Sequence, residues 1–291
     1  MDCQASGIGD GFSRLYSSEL FKFQVPFPPI PDQRAIVAYL DDKCGKIDEL
    51  VVAKEKEVEL LKELKQTVIA DAVTRGVGGG GDRRLVPSGI PWLPQIPEGW
   101  DLVRNKSFLK LTDEKVGDRK DNFTLLSLTK QGVIIRDLTE GKGKFPKEFD
   151  TYLVVRPDNL VFCLFDIDET PRTVGLVRNI GMLTGAYTNF EVNKQIVLPE
   201  FAYYYYLHID DVKKLRPFYT GLRKVVKTNT FLQIRMPVPP LDEQREIVAY
   251  IEEKTAKIDQ AVAGLTQQVA ALKEYKQRLI ADVVTGQMRV A

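Results

Sequence analysis

Cysteine, histidine and tryptophan are scarce in this chain, its net charge is almost nil, and it has no long apolar run. Three cysteines (Cys3, Cys44 and Cys163) are odd in number and far apart. They suggest neither a disulfide framework nor a metal site, and they fit a reducing compartment. His208 is the single histidine; with no Cys or His companion it reads as structural rather than as a ligand or base. No apolar run reaches bilayer-spanning length and no signal sequence is read at the N-terminus, so a cytoplasmic protein without a membrane partner is expected. Signatures of catalysis are missing too. There is no Walker motif, no Gly-rich cofactor loop after a strand, and no Asn-Pro-Pro-aromatic or Asp-Pro-Pro-aromatic tetrad; the Pro-Pro pairs are followed by Ile30 and Leu241. A nuclease site would need scattered carboxylates, so no catalytic or metal-binding residue is assigned.

What is present is a repeat. Residues 26–74 and 237–285 align at a constant offset of 211 with 25 of 49 positions identical and no gap. Each copy opens with prolines that cannot enter a helix interior, reaches an acidic residue (Asp32, Glu243), and runs on for about 43 residues without proline. That pattern predicts two long helices. Ile258, Leu265, Leu272 and Leu279 recur every seven residues, with Val262, Val269 and Val283 in a neighbouring row. Ile47, Leu61 and Val68 hold the matching positions of the first copy, beside Val51 and Val58. Lys, Glu, Gln and Asp occupy the other faces, so each helix has an apolar seam that needs a partner.

Each helix would be roughly 65 Å long, whereas a compact insert between them would have a radius of gyration of roughly 15 Å. A parallel pair would stretch that insert along the whole helix, so an antiparallel pair is expected, with the end of the first helix meeting the start of the second. Two helices packed on unrelated surfaces are the alternative.

With 44% apolar and 28% charged residues the chain can bury a core. Between Asp82 and Met236 there are 24 Lys and Arg against 19 Asp and Glu. Seven of those cations (Lys213, Lys214, Arg216, Arg223, Lys224, Lys227 and Arg235) fall in an acid-free stretch. Such a run is either a solvated face or an electrostatic footprint. Gly76 and Gly78 to Gly81 read as a flexible linker, since the Lys-Ser/Thr ending of a phosphate-cradling loop is absent. Trp92 and Trp100 among four prolines read as a segment pinned to a domain surface. Strands are expected at 123–128, 152–155, 159–165, 173–177 and 186–192, and a helix at 201–207. The fold class is therefore α+β: one mixed α/β domain plus two long antiparallel coiled-coil helices.

The stretch Pro239-Pro240-Leu241-Asp242-Glu243-Gln244-Arg245-Glu246-Ile247-Val248, followed by Lys257-Ile258-Asp259, resembles the DNA specificity subunit of type I restriction-modification systems. The residues from Pro28 to Val37 resemble that family's other repeat. Gly89-Ile90-Pro91-Trp92-Leu93 and Ile96-Pro97-Glu98-Gly99-Trp100-Asp101 look like the start of a target recognition domain, and Asp158 to Phe162 and Gly185-Ala186-Tyr187 resemble segments within one. Gly11 to Pro26 loosely resembles Gly221 to Pro237 if one residue is skipped. The expected organisation is a remnant of a preceding recognition domain at 1–31, a first long helix at 32–75, a Gly/Pro-rich linker at 76–96, a target recognition domain at 97–236, and a Pro-rich turn with the second helix at 237–291. The chain thus looks like the C-terminal half of a specificity subunit.

The resemblance implies a non-catalytic DNA-binding subunit that reads one half of a bipartite site. Its helices would act as a ruler and dock the methyltransferase subunit, which carries S-adenosylmethionine; this chain would hold no cofactor. Double-stranded DNA and the methyltransferase are the implied partners, with the restriction/translocase subunit and a homodimer of half-subunits as further possibilities. Given that resemblance, Arg223, Lys224 and Lys227 are candidates for phosphate contacts, with Lys142 and Lys144 on another basic turn. Arg172, Thr173, Lys130 and Gln131 are candidate base readers, and Tyr187 a candidate stacking residue, with surface or core roles as the alternatives. Ile47, Val58, Leu61, Val68, Ile258, Leu265, Leu272 and Leu279 are the helical seam and candidate partner-binding positions. A coiled-coil scaffold whose inserted domain binds protein rather than DNA is the alternative function.

Overall fold

The computed structural model describes residues 7–8, 12–13, 21–22, 25–81, 83–136 and 149–290. Two short strands, β1 (Gly7–Ile8) and β2 (Phe12–Ser13), pair near the start of the chain; most of the segment expected to be a domain remnant lies outside the described residues. The first repeat forms helix α1 (Ile30–Arg75). Then come β3 (Leu85–Ile90), β4 (Leu93–Pro97), β5 (Asp101–Arg104), β6 (Leu109–Thr112), β7 (Leu126–Thr129) and β8 (Gly132–Ile135). These are followed by β9 (Leu153–Val155), β10 (Leu160–Phe162), β11 (Val174–Leu176), β12 (Gly181–Leu183), β13 (Thr188–Val192), α2 (Pro199–Asp211), α3 (Thr228–Gln233), β14 (Arg235–Val238) and α4 (Leu241–Val284).

The repeats become helices by the same local device. In α1 the Gln33 side chain donates to Pro28 O at 2.8 Å, and in α4 the Gln244 side chain donates to Pro239 O at 2.8 Å. Each amide bridges its helix back to the proline turn that precedes it. Asp32 in the first turn of α1, and Asp242 and Glu243 in that of α4, complement the helix dipole. The helices stop where the backbone turns left-handed, at Gly76 (φ 88°) and Gly286 (φ 77°), where glycine costs least.

The chain divides into two compact units, residues 1–60 with 261–291 and residues 61–260. In the first, the N-terminal part of α1 packs on the C-terminal part of α4. Ile47 and Val51 are buried with Val269, Leu279 and Val283, and Leu272 packs against them. Val58 and Leu265 are half-buried. Polar links set the direction: Asp48 accepts from Lys276, Glu55 from Lys273, and Lys54 donates to Gln268. Asp48 lies opposite Lys276 whereas Lys54 and Glu55 lie opposite Gln268 and Lys273, so partner numbers fall along α1 and the pairing is antiparallel, as the insert geometry requires. Leu50 and Leu60 on α1 remain half or more exposed, off the seam.

The second unit holds the end of α1, the start of α4 and everything between. Lys65 donates to Asp259 at 2.7 Å, and Ile69 and Val73 share a buried core with Ile247 and Ile251, so here the end of the first helix meets the start of the second. Leu61 and Val68 are half-buried and Ile258 is buried. An antiparallel sheet in the order β11-β10-β13-β6 lies at the centre of the unit. Its Phe162 and Phe190 form edge-to-face and tilted contacts with Tyr206 of α2 and Phe231 of α3. Each such ring contributes about 2 kcal/mol by leaving water. Strand β14 pairs with β5, so the segment leading into α4 is hydrogen-bonded to the domain itself.

Five expected strands fall on observed ones, four of them shortened and the one expected at 123–128 displaced to Leu126–Thr129, and the expected helix grows to Pro199–Asp211. The stretch read as a linker contains the β3–β4 hairpin, with its register shift between Pro87 and Ile90. Pro87 and Pro94 tolerate this because a two-stranded ribbon leaves ladder positions free of a required N–H.

Candidate nucleic-acid interface

The candidate residues of the second unit are carried by turns. Thr220 and Val225 exchange backbone hydrogen bonds of 3.0 and 3.1 Å, and Lys224 N donates to Gly221 O at 3.1 Å, closing a tight turn. It needs left-handed backbone at Gly221 (φ 73°) and Lys224 (φ 46°). Two further backbone bonds, Asp166 N to Arg223 O at 2.8 Å and Val226 N to Leu164 O at 2.8 Å, tie it to the Cys163–Thr173 loop joining β10 and β11.

That loop supplies carboxylates. Asp168 accepts from Arg216 at 2.7 Å and lies 2.9 Å from Lys224 Nζ, while Glu169 lies 2.5 Å from the same ammonium. Arg223 is 3.5 Å from Asp166. The Lys224 ammonium first and the Arg216 guanidinium second hold the Asp168 carboxyl down at about 2. Lys224 is in turn pushed up by Glu169 and Asp168. Lys213 donates to the buried Asp210 at 2.7 Å. Four of the seven cations in the acid-free stretch are therefore paired with carboxylates: Arg216, Arg223 and Lys224 with ones distant in sequence, and Lys213 with Asp210 three residues before it. Lys214, Lys227 and Arg235 carry no ion pair among the described residues. Of the two readings of that stretch, this pairing favours the solvated face at those four positions, because paired charges cancel at a distance.

The candidate residues fare unequally. Arg223 is exposed and its guanidinium sits 5.4 Å from the centre of the Phe165 ring. Tyr187 stacks on the same Phe165, with ring centres 6.4 Å apart at 15°, and burial pushes its hydroxyl pKa up. Lys227 is exposed at the residue before α3. Lys130 and Gln131 are exposed at the tip of the β7–β8 hairpin, where Gln131 N donates to Thr129 Oγ1 at 3.1 Å. Lys142 and Lys144 lie outside the described residues.

Two base-reader assignments are corrected. Thr173 is only 2% exposed and its N–H donates to Asp210 Oδ2 at 2.9 Å, so it presents nothing to a groove. Arg172 is committed to Asp210 at 3.3 Å and Asp211 at 2.9 Å; it braces the loop against α2. Sequence reasoning missed Phe165, Asp166, Asp168, Glu169 and Leu222. The complementary acidic triplet facing an acid-free basic stretch was the available signal.

Among the described residues no group of His, Cys, Asp or Glu could hold a metal ion, and no described helix is long and apolar enough to cross a membrane. His208 is half-buried in α2, and burial pushes its pKa down.

Comparison with known proteins places this geometry. The pattern of the type I restriction modification DNA specificity domain matches residues 173–270, from the start of β11 into α4. The putative type I restriction enzyme MjaX specificity subunit of Methanocaldococcus jannaschii is 23% identical over 295 residues, covering 96% of this chain and 62% of that protein. The MjaVIII specificity subunit of the same organism is 21% identical over 299 residues, covering 97% and 66%. The chain thus spans about three fifths to two thirds of the length of these curated relatives. A chain from a solved structure concerned with complex assembly and conformational transition of the type I R-M system superposes with a TM-score of 0.69 at 15% identity, over 96% of this chain and 66% of that one. That likeness is one of fold. The repeat and the antiparallel helices thus accompany a stretch that matches the type I restriction modification DNA specificity domain, in a chain similar over nearly its whole length to type I restriction enzyme specificity subunits.

Proposed function

We propose that the chain is a non-catalytic, sequence-specific DNA-recognition subunit that reads one half of a bipartite site in double-stranded DNA. Its helical pair docks an adenine methyltransferase subunit, which supplies S-adenosylmethionine; this chain needs no cofactor of its own. One observation carries the reading: the stretch matching the DNA specificity domain contains the Thr220–Val225 turn, pinned at its base and open at its tip, with the unpaired Lys227 beside it. Phosphate contacts fall to Arg223 and Lys227, and base contacts to the Lys130–Gln131 tip. Leu50 and Leu60 on α1 are apolar and exposed, which suits a protein partner.

The test is binding of the purified chain to a randomised duplex pool at rising salt, with mass measurement of the chain mixed with its methyltransferase subunit. Steep salt dependence and a stable complex are expected. A two-plus-two complex means paired half-subunits and a symmetric site; a one-plus-one complex means a single half-site reader. The neutralised cations favour a second reading, a scaffold whose inserted domain binds protein. Salt-insensitive or absent DNA binding selects it.

A further inference from the structure

We infer that Leu222 is a wedge that inserts at a base step of the bound duplex, a role that rests on the DNA-recognition reading above. Leu222 is 102% exposed, more than any other large apolar side chain among the described residues. A lone exposed leucine on a protein surface is ordinary, so exposure alone carries nothing. What distinguishes this one is how its backbone is held. The turn is closed by Thr220, Val225 and the Gly221–Lys224 bond, stapled to the β10–β11 loop through Arg223 O and Val226 N, and clamped by Lys224 on Asp168 and Glu169. The side chain stands at the tip of a fixed support with no packing partner.

Its neighbours fit a nucleic acid rather than an apolar pocket on a protein. Arg223, the next residue, lays its guanidinium over Phe165, which also stacks with Tyr187. A planar cation backed by aromatic rings, beside a protruding aliphatic group and close to Lys227, matches a site where a step is opened. The apolar side chain fills the gap while the cation meets the adjoining backbone. Leucine is among the residues that act this way, partly unstacking a step and kinking the duplex. The internal ion pairs of Lys224 then have a second purpose. They hold the turn rigid, so that insertion does not cost the ordering of a loose loop.

The test uses the full chain and a duplex that it has selected from a randomised pool, with 2-aminopurine substituted at one position at a time. Wild type is expected to raise the fluorescence at one step, reporting lost stacking. Leu222→Ala should abolish that rise and weaken binding on the order of tenfold while leaving the salt dependence unchanged; Leu222→Met, which keeps the reach, should retain it. Leu222 is fully exposed, so neither variant should disturb the fold, which circular dichroism checks. Salt-dependent binding by wild type with no rise at any step overturns the wedge and leaves DNA recognition standing, as does a rise that persists in Leu222→Ala. Loss of methyltransferase association in Leu222→Ala with unchanged DNA fluorescence assigns the leucine to a protein contact instead and overturns the wedge. If wild type selects no duplex at all, the recognition reading itself fails, and the wedge with it.

Discussion

Gln244 is fully buried, and its Oε1 accepts the Leu198 N–H at 2.7 Å while its Nε2 donates to Ile196 O at 3.0 Å and to Pro239 O at 2.8 Å. One amide therefore locks the start of α4 to its own proline turn and to the segment leading into α2. The repeat partner Gln33 makes the proline-turn bond alone among the bonds seen for its side chain. The same residue in the same local motif thus has a local role in one copy and a long-range role in the other.

Gln244→Ala should destabilise the second unit by roughly 2–4 kcal/mol, because it leaves the Leu198 N–H and the Ile196 carbonyl without partners in the interior. Gln33→Ala, removing one half-exposed bond, should cost under about 1 kcal/mol. Denaturant melting of the two variants measures both; equal effects would show that the Leu198 bond is idle.

Legibility from the sequence followed the range of the interaction. The long helices could be read because prolines, first-turn acids and seven-residue apolar rows are all local signals. Their antiparallel pairing could be read because the insert between Gly76 and Met236 must keep its ends together. The ion pairs could not: Asp168 finds Lys224 across more than fifty residues, through a turn whose position depends on Asp166 N and Arg223 O. Thr173 was misassigned for a related reason. Threonine next to arginine in an expected turn looks like a reader, but the approach to β11 turns its side chain inward, where Asp210 already holds its N–H.

The seam and the flank of α1 should separate stability from docking. Leu272→Asp places a carboxylate among Ile47, Val51, Val269 and Leu279 and should cost about 2–4 kcal/mol with loss of helicity. Leu50→Glu with Leu60→Glu alters exposed positions and should leave melting within about 0.5 kcal/mol per site, yet weaken association with the methyltransferase subunit. A complex that survives the second change places the docking surface elsewhere.

Helix α2 should make the protein sensitive to alkali. Burial raises the hydroxyl pKa of Tyr203, of Tyr204 to about 12, and of Tyr205 and Tyr206. Unfolded tyrosines ionise near 10. These groups therefore contribute stability that is complete below about pH 10, and in the case of Tyr204 is lost as pH rises from about 10 towards 12, since the unfolded chain releases protons first. Melting temperature should be flat from pH 7 to 9 with respect to these groups and fall above 10. A Tyr206→Phe variant should already be weaker at neutral pH by about 1–3 kcal/mol, because Asn105 Oδ1 loses its 2.5 Å donor in the interior.

Asp168 sits between Arg216 and Lys224, and under the proposed function it competes with DNA phosphate for both cations. Its carboxyl, held at about 2 by those neighbours, is ionised throughout the neutral range. The pairing it provides is present above its ordinary range near 4 and lost only as pH falls through about 2. Physiological pH changes should thus leave this latch closed. Asp168→Asn removes the charge without the volume, releasing Arg216 and one of the two anions on Lys224. Affinity for non-specific duplex should rise several-fold at roughly 50 mM salt, and the slope of log affinity against log salt should steepen by about 1, the signature of one more neutralised phosphate. Sequence discrimination should narrow, because the gain is blind to base identity. Fluorescence anisotropy with a selected and a scrambled duplex measures both affinities. If the two rise in proportion, or neither moves, Asp168 serves only to brace the turn, and Lys224 is a structural cation rather than one held away from the wrong DNA.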